Sequence, residues 1–210
     1  MNQLKQNGYI VLSILDPIQL NQARYQMEKD LKSMPEFKNP LEAFNTGHVM
    51  GGFSALGNAS SFHLPVARQL RLITHPIVYQ LFKEELDTKD LKFEQIIDRF
   101  KHQTPNKKIN SENYHRDESP CSEGDQIFGG WINLDLTPQY FAGCPGTHKS
   151  IHKQNGFAQI TKEEYKEYAK LEQLIEIPPG HIFIFYEHMV HKVYRSKNIR
   201  VDRLFMGWRL

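Results

Sequence analysis

The sequence has only two cysteines, Cys121 and Cys144. Two cysteines cannot form the disulfide framework of a small secreted domain, and this usage fits a reducing compartment. It also lacks the run of ~18 apolar residues that a membrane-spanning helix needs. The first 30 residues are polar and contain acidic groups, so we expect neither a secretory signal nor a transit sequence. These absences together predict a cytoplasmic protein with no membrane span.

The chain also has little net charge, only +2 from 26 basic and 24 acidic residues. No strong field of one sign therefore marks it as a binder of nucleic acid, and we expect no such partner. With 210 residues, 40% of them hydrophobic and 11% aromatic, the chain is large enough to bury a substantial core. We predict a single domain that spans residues 1–210.

Two parts of the chain differ in their hydrophobic pattern. Apolar residues recur at helical spacing in a part that covers about 16–86, where Asp16 precedes Pro17 as an N-cap. Within this part, Pro76 is expected to begin a new helix, because proline is poorly tolerated inside one. From about 91 to 210, short apolar runs separated by Pro, Gly and Asn are typical of strands.

The second part lacks the alternation of strands and helices that accompanies a parallel sheet. Its one further helix is predicted near 161–171, where Thr161 and Glu164 form a capping box. The pattern favours an antiparallel sandwich or barrel, mainly β, with the helices of the first part packed outside. The predicted strands are 91–100, 127–134, 174–177, 181–186 and 201–210.

Residues 34–62 read as one long loop, because prolines and glycines interrupt every apolar run there. The loop carries Phe44, Met50, Phe53 and Phe62. These side chains could form a lid over an apolar substrate or could anchor the loop, and the sequence favours neither.

The segment His115-Arg116-Asp117 places a histidine two residues before an aspartate. In an extended strand the side chains of His115 and Asp117 point to one face and Arg116 points out. An imidazole and a carboxylate on one face, with a distant histidine, form the facial triad of non-haem Fe(II) enzymes. Such a triad leaves three coordination positions, two for a bidentate 2-oxo acid and one for dioxygen.

The closing strand supplies a candidate partner for an acid. Alternation puts Arg203, Phe205, Gly207 and Arg209 on one face of this strand. A guanidinium there can bind a carboxylate through two parallel hydrogen bonds. A single arginine more often forms an ion pair on the protein surface, and this alternative stays open for Arg203.

Other short motifs accompany the triad along nearly the whole chain. With them, the sequence resembles the phytanoyl-CoA dioxygenase (PhyH-like) family of Fe(II)- and 2-oxoglutarate-dependent oxygenases. The matching features, in family order, are Gly8-Tyr9, the helix after Asp16-Pro17, His115-x-Asp117, Trp131-Ile132-Asn133-Leu134-Asp135, Gly143-Cys144-Pro145-Gly146-Thr147-His148-Lys149, Pro179-Gly180 with Phe185, His191 and Arg203.

The resemblance implies a double-stranded β-helix (a cupin-like jelly roll) in which His115, Asp117 and His191 ligate Fe(II). It also implies that Arg203 binds the far carboxylate of 2-oxoglutarate and that Trp131 lines the cosubstrate pocket. The implied activity is hydroxylation of a small organic or lipid-like substrate by molecular oxygen. In that reaction 2-oxoglutarate is converted to succinate and carbon dioxide.

The resemblance leaves two candidates for the distal histidine and two for the arginine. His191 is preferred to His188 as the distal ligand, because the family places that ligand after a short apolar pair. Arg200 lies nine residues past His191 and Arg203 twelve, and the spacing usual in the family falls between them. Arg203 is preferred because it begins the apolar strand, but Arg200 stays possible.

Two other functions remain open from the sequence. Arg203 and Arg209 also resemble the closing arginine pair of nucleic-acid demethylases, so a nucleic-acid- or protein-directed 2-oxoglutarate oxygenase is an alternative. The second is a non-catalytic jelly-roll binding protein that retains the metal motif, since a fold does not guarantee an activity.

Overall fold

The structure, a computed structural model, describes residues 3–32, 55–56, 64–86, 92–103, 112–117, 126–150, 160–194 and 201–210. In these ranges the chain is mainly antiparallel β, with helices packed against it. The elements, in chain order, are α1 (Gln3–Asn7), β1 (Tyr9–Ser13), α2 (Pro17–Lys32), β2 (Ala55–Leu56), α3 (Pro65–Leu86), β3 (Glu94–Gln103), β4 (Ile127–Asn133), β5 (Gln139–Gly143), a 3₁₀ turn (Thr147–Lys149), α4 (Lys162–Leu171), β6 (Gln173–Ile177), β7 (His181–Tyr186), β8 (His191–Lys192) and β9 (Val201–Arg209).

The strands form two sheets in which every neighbouring pair is antiparallel. The larger sheet has the order β1-β7-β4-β9-β3-β2, and the smaller has the order β6-β5-β8. Apart from β2 and β3, strands that are neighbours in the larger sheet are not consecutive in sequence. The first and last strands, β1 and β9, lie in this one sheet, separated by β7 and β4.

Helices α1, α2 and α3 cover one face of the larger sheet. Alternate residues of β9, namely Leu204, Met206 and Trp208, point to this face and are buried there with Phe82 of α3. The aromatic ring of Phe82 lies 4.5 Å from that of Phe128 of β4, measured between centroids. We call this cluster the helix-side core.

A second cluster fills the space between the two sheets. The larger sheet contributes Trp131, Phe183 and Phe185, and the smaller sheet contributes Phe141 and Ile175. We call this cluster the pocket-side core. Successive residues of β7 alternate between the two cores, as the two-residue period of a strand requires.

Most of the elements predicted from periodicity are confirmed, with shifts of a few residues at their ends. The capping box of α4 is present, with Thr161 Oγ1 accepting from Glu164 N at 3.1 Å. Asp16 also caps α2, because its Oδ1 accepts from the amides of Ile18 and Gln19 at 2.8 Å each. Strand β5 was not predicted, since Gln139–Gly143 has no clear alternation.

The prediction that Pro76 begins a new helix is wrong. Helix α3 runs without interruption from Pro65 to Leu86 and contains Pro76. An internal proline costs about 3 kcal/mol, but apolar side chains on both sides of it, among them Leu70, Val78 and Phe82, are fully buried. Burial of each such side chain contributes ~1.5–3 kcal/mol, which together exceeds that cost.

Within the described ranges, no helix combines the length and the hydropathy required to cross a bilayer.

Candidate metal centre

Three predicted ligands come together at one end of the space between the sheets. His115 Nε2 lies 3.3 Å from Asp117 Oδ1, and His191 Nε2 lies 3.3 Å from Asp117 Oδ2. One candidate ligand atom from each residue lies within 4.8 Å of the other two. Two imidazole nitrogens and one carboxylate oxygen at such separations can surround a single metal ion.

Backbone pairing brings the distant histidine to the H-x-D segment. His115 N donates to His191 O at 2.8 Å, and His191 N donates to His115 O at 3.0 Å, in an isolated antiparallel bridge. On its other side His191 pairs with Gly143 of β5. The smaller sheet thus fixes the position of the ligand contributed by β8.

Each histidine ring is oriented by a backbone carbonyl. His115 Nδ1 lies 2.7 Å from Asn113 O, and His191 Nδ1 lies 3.0 Å from Met189 O. A carbonyl only accepts, so each Nδ1 carries a hydrogen, and Nε2 is the ring nitrogen that faces Asp117 and can bind a metal. The carbonyls are therefore the orienting partners that metal-binding histidines usually have.

Two details of the predicted H-x-D strand are wrong. Residues 114–117 form only the single bridge at His115 and are not a strand. Arg116 does not point out but is 6% exposed. Its Nη1 donates to Thr147 O at 3.0 Å and also to His188 O. Arg116 therefore connects the H-x-D segment to two turns. In a regular strand its side chain would point outward and could not reach them.

A second contact holds the same segment from the side of α4. Tyr114 Oη donates to Glu172 Oε2, which forms an ion pair with Lys192 Nζ at 2.5 Å. Lys192 also lies over the ring of Tyr114, 4.8 Å from its centroid. Burial and the bond to Glu172 raise the pKa of Tyr114 to about 12, so its hydroxyl stays protonated at neutral pH.

The electrostatics of the triad favour a charged carboxylate. Burial alone would raise the pKa of Asp117, but the charge and hydrogen bonds of His191 and His115 lower it well below its usual range. Burial alone would lower the pKa of His115, but its bonds to Asp117 and Asn113 O raise it overall. Glu112 Oε2 lies 3.6 Å from His115 Nε2 and adds a second acid that the sequence analysis missed.

The inner wall next to the triad is aromatic. The ring of Phe141 stacks on His191 at 4.9 Å between centroids, and Trp131 lies 5.6 Å from Phe141. Trp131 Nε1 donates to Gln139 Oε1 at 3.0 Å, which fixes the indole. A series of packed aromatic rings therefore leads from the metal site into the molecule.

Arg203 lies at the inner end of this series. Its guanidinium carbon is 4.6 Å from the ring centroid of Trp131 and 5.4 Å from that of Phe205. Arg203 Nε is buried and has no hydrogen-bond partner in the described part of the chain. Burial lowers the pKa of Arg203 to about 10, so the group remains a cation at neutral pH.

A second cation, Lys101, lies at this position, and no sequence motif indicated it. It is the cross-strand partner of Arg203 in the register of β3 and β9. Alternation of apolar residues in 91–100 gave no sign of this pairing. The competing candidate Arg200 lies outside the described residues, as does the proposed lid 34–62 apart from the short strand β2.

His148, which belongs to the Gly143–Lys149 motif, packs away from the triad. Its ring stacks on Tyr186 at 4.8 Å, and its Nε2 lies 3.0 Å from Lys5 O. These contacts connect the 3₁₀ turn to α1 and β7. His148 therefore contributes to packing.

Comparisons with known proteins identify the fold of the chain and nothing beyond the fold. No family model matches the chain, and no curated protein matches it in sequence. Among solved structures, the non-heme alpha-ketoglutarate-dependent carbocyclase SnoK from nogalamycin biosynthesis aligns with a TM-score of 0.67 and 13% identity. That alignment covers 98% of this chain and 81% of SnoK.

Two further solved structures are similar. The non-heme alpha-ketoglutarate-dependent epimerase SnoN, also from nogalamycin biosynthesis, has a TM-score of 0.68 and 12% identity, over 98% of this chain and 80% of SnoN. EvdO2 from Micromonospora carbonacea var. aurantiaca, complexed with 2-oxoglutarate, has a TM-score of 0.58 and 10% identity, over 99% and 88%. At such identities the likeness shows that this chain has the fold of non-heme 2-oxoglutarate-dependent enzymes.

Proposed function

We propose that the chain is an Fe(II)- and 2-oxoglutarate-dependent oxygenase that hydroxylates a small organic or lipid-like substrate. One observation carries the proposal. The His115–Asp117–His191 triad lies at one end of an aromatic wall, and the buried guanidinium of Arg203, without a hydrogen-bond partner at Nε, lies at the other. A metal-chelating keto acid with a second carboxylate matches both ends.

The residues present fit both groups. The triad offers two imidazole nitrogens and one carboxylate, a ligand set that suits Fe(II) and leaves coordination positions open. Arg203 offers a fork of donors to a carboxylate. In this proposal His115, Asp117 and His191 hold the iron, while Arg203 and Trp131 hold 2-oxoglutarate.

When bound, iron and 2-oxoglutarate supply the oxidising chemistry, with dioxygen consumed and succinate and carbon dioxide released. The chain's own residues orient these groups and exclude water from the site. The packed rings of Trp131, Phe141 and Phe183 keep water from the inner side of the site. Asp117 has a 41% exposed side chain, against 5% for His115 and 7% for His191. Substrate and dioxygen therefore arrive on the side of Asp117.

We further propose that the two sheets belong to a double-stranded β-helix (a cupin-like jelly roll) and that residues 1–210 form one domain. The antiparallel pairing, the pocket-side core between the sheets and the similarity to SnoK and SnoN support this arrangement. Membership of the phytanoyl-CoA dioxygenase family within these oxygenases rests on the sequence motifs alone.

The similar enzymes include a carbocyclase and an epimerase, so one fold accompanies different final reactions. Hydroxylation is our proposal on the resemblance to the phytanoyl-CoA dioxygenase family, and the exposed side next to Asp117 gives a substrate access to the triad. A screen of metabolites and lipids for substrate-dependent succinate release identifies the substrate.

The test combines metal binding with turnover. We expect Mn(II), a redox-stable substitute for Fe(II), to raise the melting temperature of the wild type, because a ligand that binds only the folded state stabilises it. The variants His115→Ala, Asp117→Ala and His191→Ala should lose this shift and all Fe(II)-dependent succinate formation. His188→Ala is the matched control and should keep both, because Arg116 binds the backbone oxygen of this residue, which alanine retains. Retention of both properties by all three triad variants would show that the triad is not the metal site.

A further inference from the structure

The residues next to the two histidine ligands form a pair of their own. His115 and His191 are joined through their backbones in a single antiparallel bridge. Tyr114 precedes the first histidine and Lys192 follows the second, so the antiparallel register places these two residues opposite each other as well. Lys192 Nζ lies 3.4 Å from Tyr114 Oη and 4.8 Å from the centroid of its ring. Because successive residues of β8 point to opposite faces, this pair lies on the side of the bridge away from the imidazoles.

Glu172 joins the two members of this pair. It lies between α4 and β6, where its amide donates to Tyr168 O at 2.9 Å. Its Oε2 accepts from Tyr114 Oη and from Lys192 Nζ, the latter at 2.5 Å. Burial would raise the pKa of Glu172, but the hydrogen bonds from Lys192 and Tyr114 lower it overall. One charged carboxylate oxygen thus binds both segments that carry a histidine ligand.

Lys192 reaches Glu172 across β5. Strands β8 and β6 are not neighbours, since β5 lies between them, so their backbones are about 10 Å apart. The residue of β5 that pairs with Lys192 is Ala142. Ala142 lies on the outer face of the sheet, because Phe141 before it packs in the pocket-side core, and its full burial shows that longer side chains cover it. The small alanine therefore leaves room for the lysine to meet the carboxylate at the start of β6.

The H-x-D segment depends on such side-chain contacts for its position. Residues 114–117 are not a strand, and the bridge contributes the two backbone hydrogen bonds between His115 and His191. A regular strand is held by a ladder of hydrogen bonds along its length, whereas a single bridge lets two chains twist about each other. Such a twist would move the two Nε2 atoms apart. A contact on the opposite side of the bridge restrains it.

We propose that Glu172 is a positioning residue of the metal centre. By binding Tyr114 and Lys192 together, it holds the two histidine-bearing segments at the separation that a metal ion requires. The inference rests on the proposed function, since it needs the triad to be the metal site. Residues that orient the ligands of a metal commonly change its affinity although they do not touch it. Glu172 acts in this way from the outer face of the smaller sheet.

Calorimetric titration of the whole chain with Mn(II), well below the melting temperature, tests the proposal. Glu172→Ala should weaken Mn(II) binding about tenfold, because the bridge loses its restraint. Glu176→Ala is the matched control. Glu176 lies on the same strand β6 and accepts from Tyr140 Oη at 3.2 Å, but neither of these residues adjoins a ligand. This variant should bind Mn(II) like the wild type.

Charge reversal separates positioning from the electrostatic field of Glu172. Lys192→Glu makes the surroundings of the metal more negative, so the field alone would strengthen Mn(II) binding. Loss of the ion pair should instead weaken it, by about tenfold. The double variant Glu172→Lys/Lys192→Glu restores the pair, and its carboxylate at position 192 can still accept from Tyr114 Oη. We expect this variant to bind Mn(II) within about threefold of the wild type.

Thermal melts establish that each variant folds. Should Glu172→Ala not fold, Tyr114→Phe takes its place, because it keeps the buried ring and removes only the hydroxyl, and it should weaken Mn(II) binding about threefold. If the variant that folds binds Mn(II) like the wild type, or if Lys192→Glu binds it more tightly, Glu172 does not position the ligands and the proposed function still stands. If the wild type itself binds no Mn(II), the triad is not the metal site and both proposals are wrong.

Discussion

Asp135 is an acid that the fold buries beside a second acid, Asp202. Its Oδ2 accepts from Gln139 Nε2 at 2.8 Å and from the amide of Asp202 at 3.1 Å. Through Gln139 the same group supports the indole of Trp131. Burial, and then the charge of Asp202, raise the pKa of Asp135 from 3.8 to about 6, although these hydrogen bonds oppose the shift.

We expect this buried carboxylate to make stability depend on pH. Its pKa is higher in the folded than in the unfolded state, so its contribution is complete below pH 4 and is lost as the pH rises through about 6. Asp135→Asn keeps an oxygen acceptor without the charge. Relative to this variant, the wild type should lose roughly 2–3 kcal/mol of unfolding free energy between pH 4 and pH 7. Urea denaturation at both pH values measures it, and a difference that stays constant with pH contradicts the assignment.

The residues of the site differ in how far the sequence could identify them. His115 and Asp117 stand two positions apart, so local spacing sufficed to place them together. Lys101 depends on the register of β3 against β9, which shifts at an irregularity between Gln95 and Ile97. A slip of one residue exchanges the faces of a strand, and no local pattern reveals such a slip.

Among the secondary-structure elements, β4 requires a glycine at a position where it pairs with β7. A Cβ built on Gly130 would lie 2.1 Å from Phe183 O, a backbone atom in the neighbouring strand. Gly146, in the turn before the 3₁₀ segment, has a φ of +84° but no atom within 4 Å of a Cβ. The first glycine is required by space and the second only by backbone conformation.

Substitution by alanine should therefore lower the unfolding free energy by different amounts at these two positions. Gly130→Ala forces the two central strands apart, and we expect a loss of about 3 kcal/mol or more in unfolding free energy. Gly146→Ala, the matched control, should cost about 1–2 kcal/mol, the strain of a left-handed alanine. Chemical denaturation compares the two. Equal losses would mean that the sheet adjusts to the added methyl group.

Long elements could be predicted from the sequence, while short ones could not. Helix α4 has a capping box, and β7 is a continuous apolar run, so both give clear signals. The two-residue strand β8 and the bridge at His115 have too few residues for any periodicity, yet they position two of the three ligands. Their pairing is decided by the rest of the sheet.

In the molecule as a whole, the two faces of the larger sheet have different roles. Its outer face packs on the helices in the helix-side core, and its inner face bears the pocket-side core and Arg203. The composition indicated one antiparallel β unit with helices outside. It did not indicate that the same strands contribute alternate residues to two cores with different roles.

Truncation of the helix-side core should affect stability alone. Phe82 is fully buried and contacts Phe128 and Trp208 on the far side of the sheet from the triad. Phe82→Ala should therefore lower the unfolding free energy by about 3–5 kcal/mol. The dissociation constant for Mn(II), measured by calorimetry well below the melting temperature, should stay unchanged. A weaker metal affinity would show that the two faces of the sheet are coupled.

Truncation of the pocket-side core should affect the metal centre directly. Phe141 is also buried, but its ring stacks on His191 and lies 5.0 Å from Phe185. Phe141→Ala removes this support and lets the imidazole reorient, although the bond from His191 Nδ1 to Met189 O remains. We expect Mn(II) to bind about 10- to 100-fold more weakly, in addition to a loss of stability like that of Phe82→Ala. Both variants remove a phenylalanine that packs against the larger sheet, Phe82 on its helix side and Phe141 on its pocket side. An equal effect on metal affinity would therefore mean that general loosening of the fold, and not the packing around His191, controls the site.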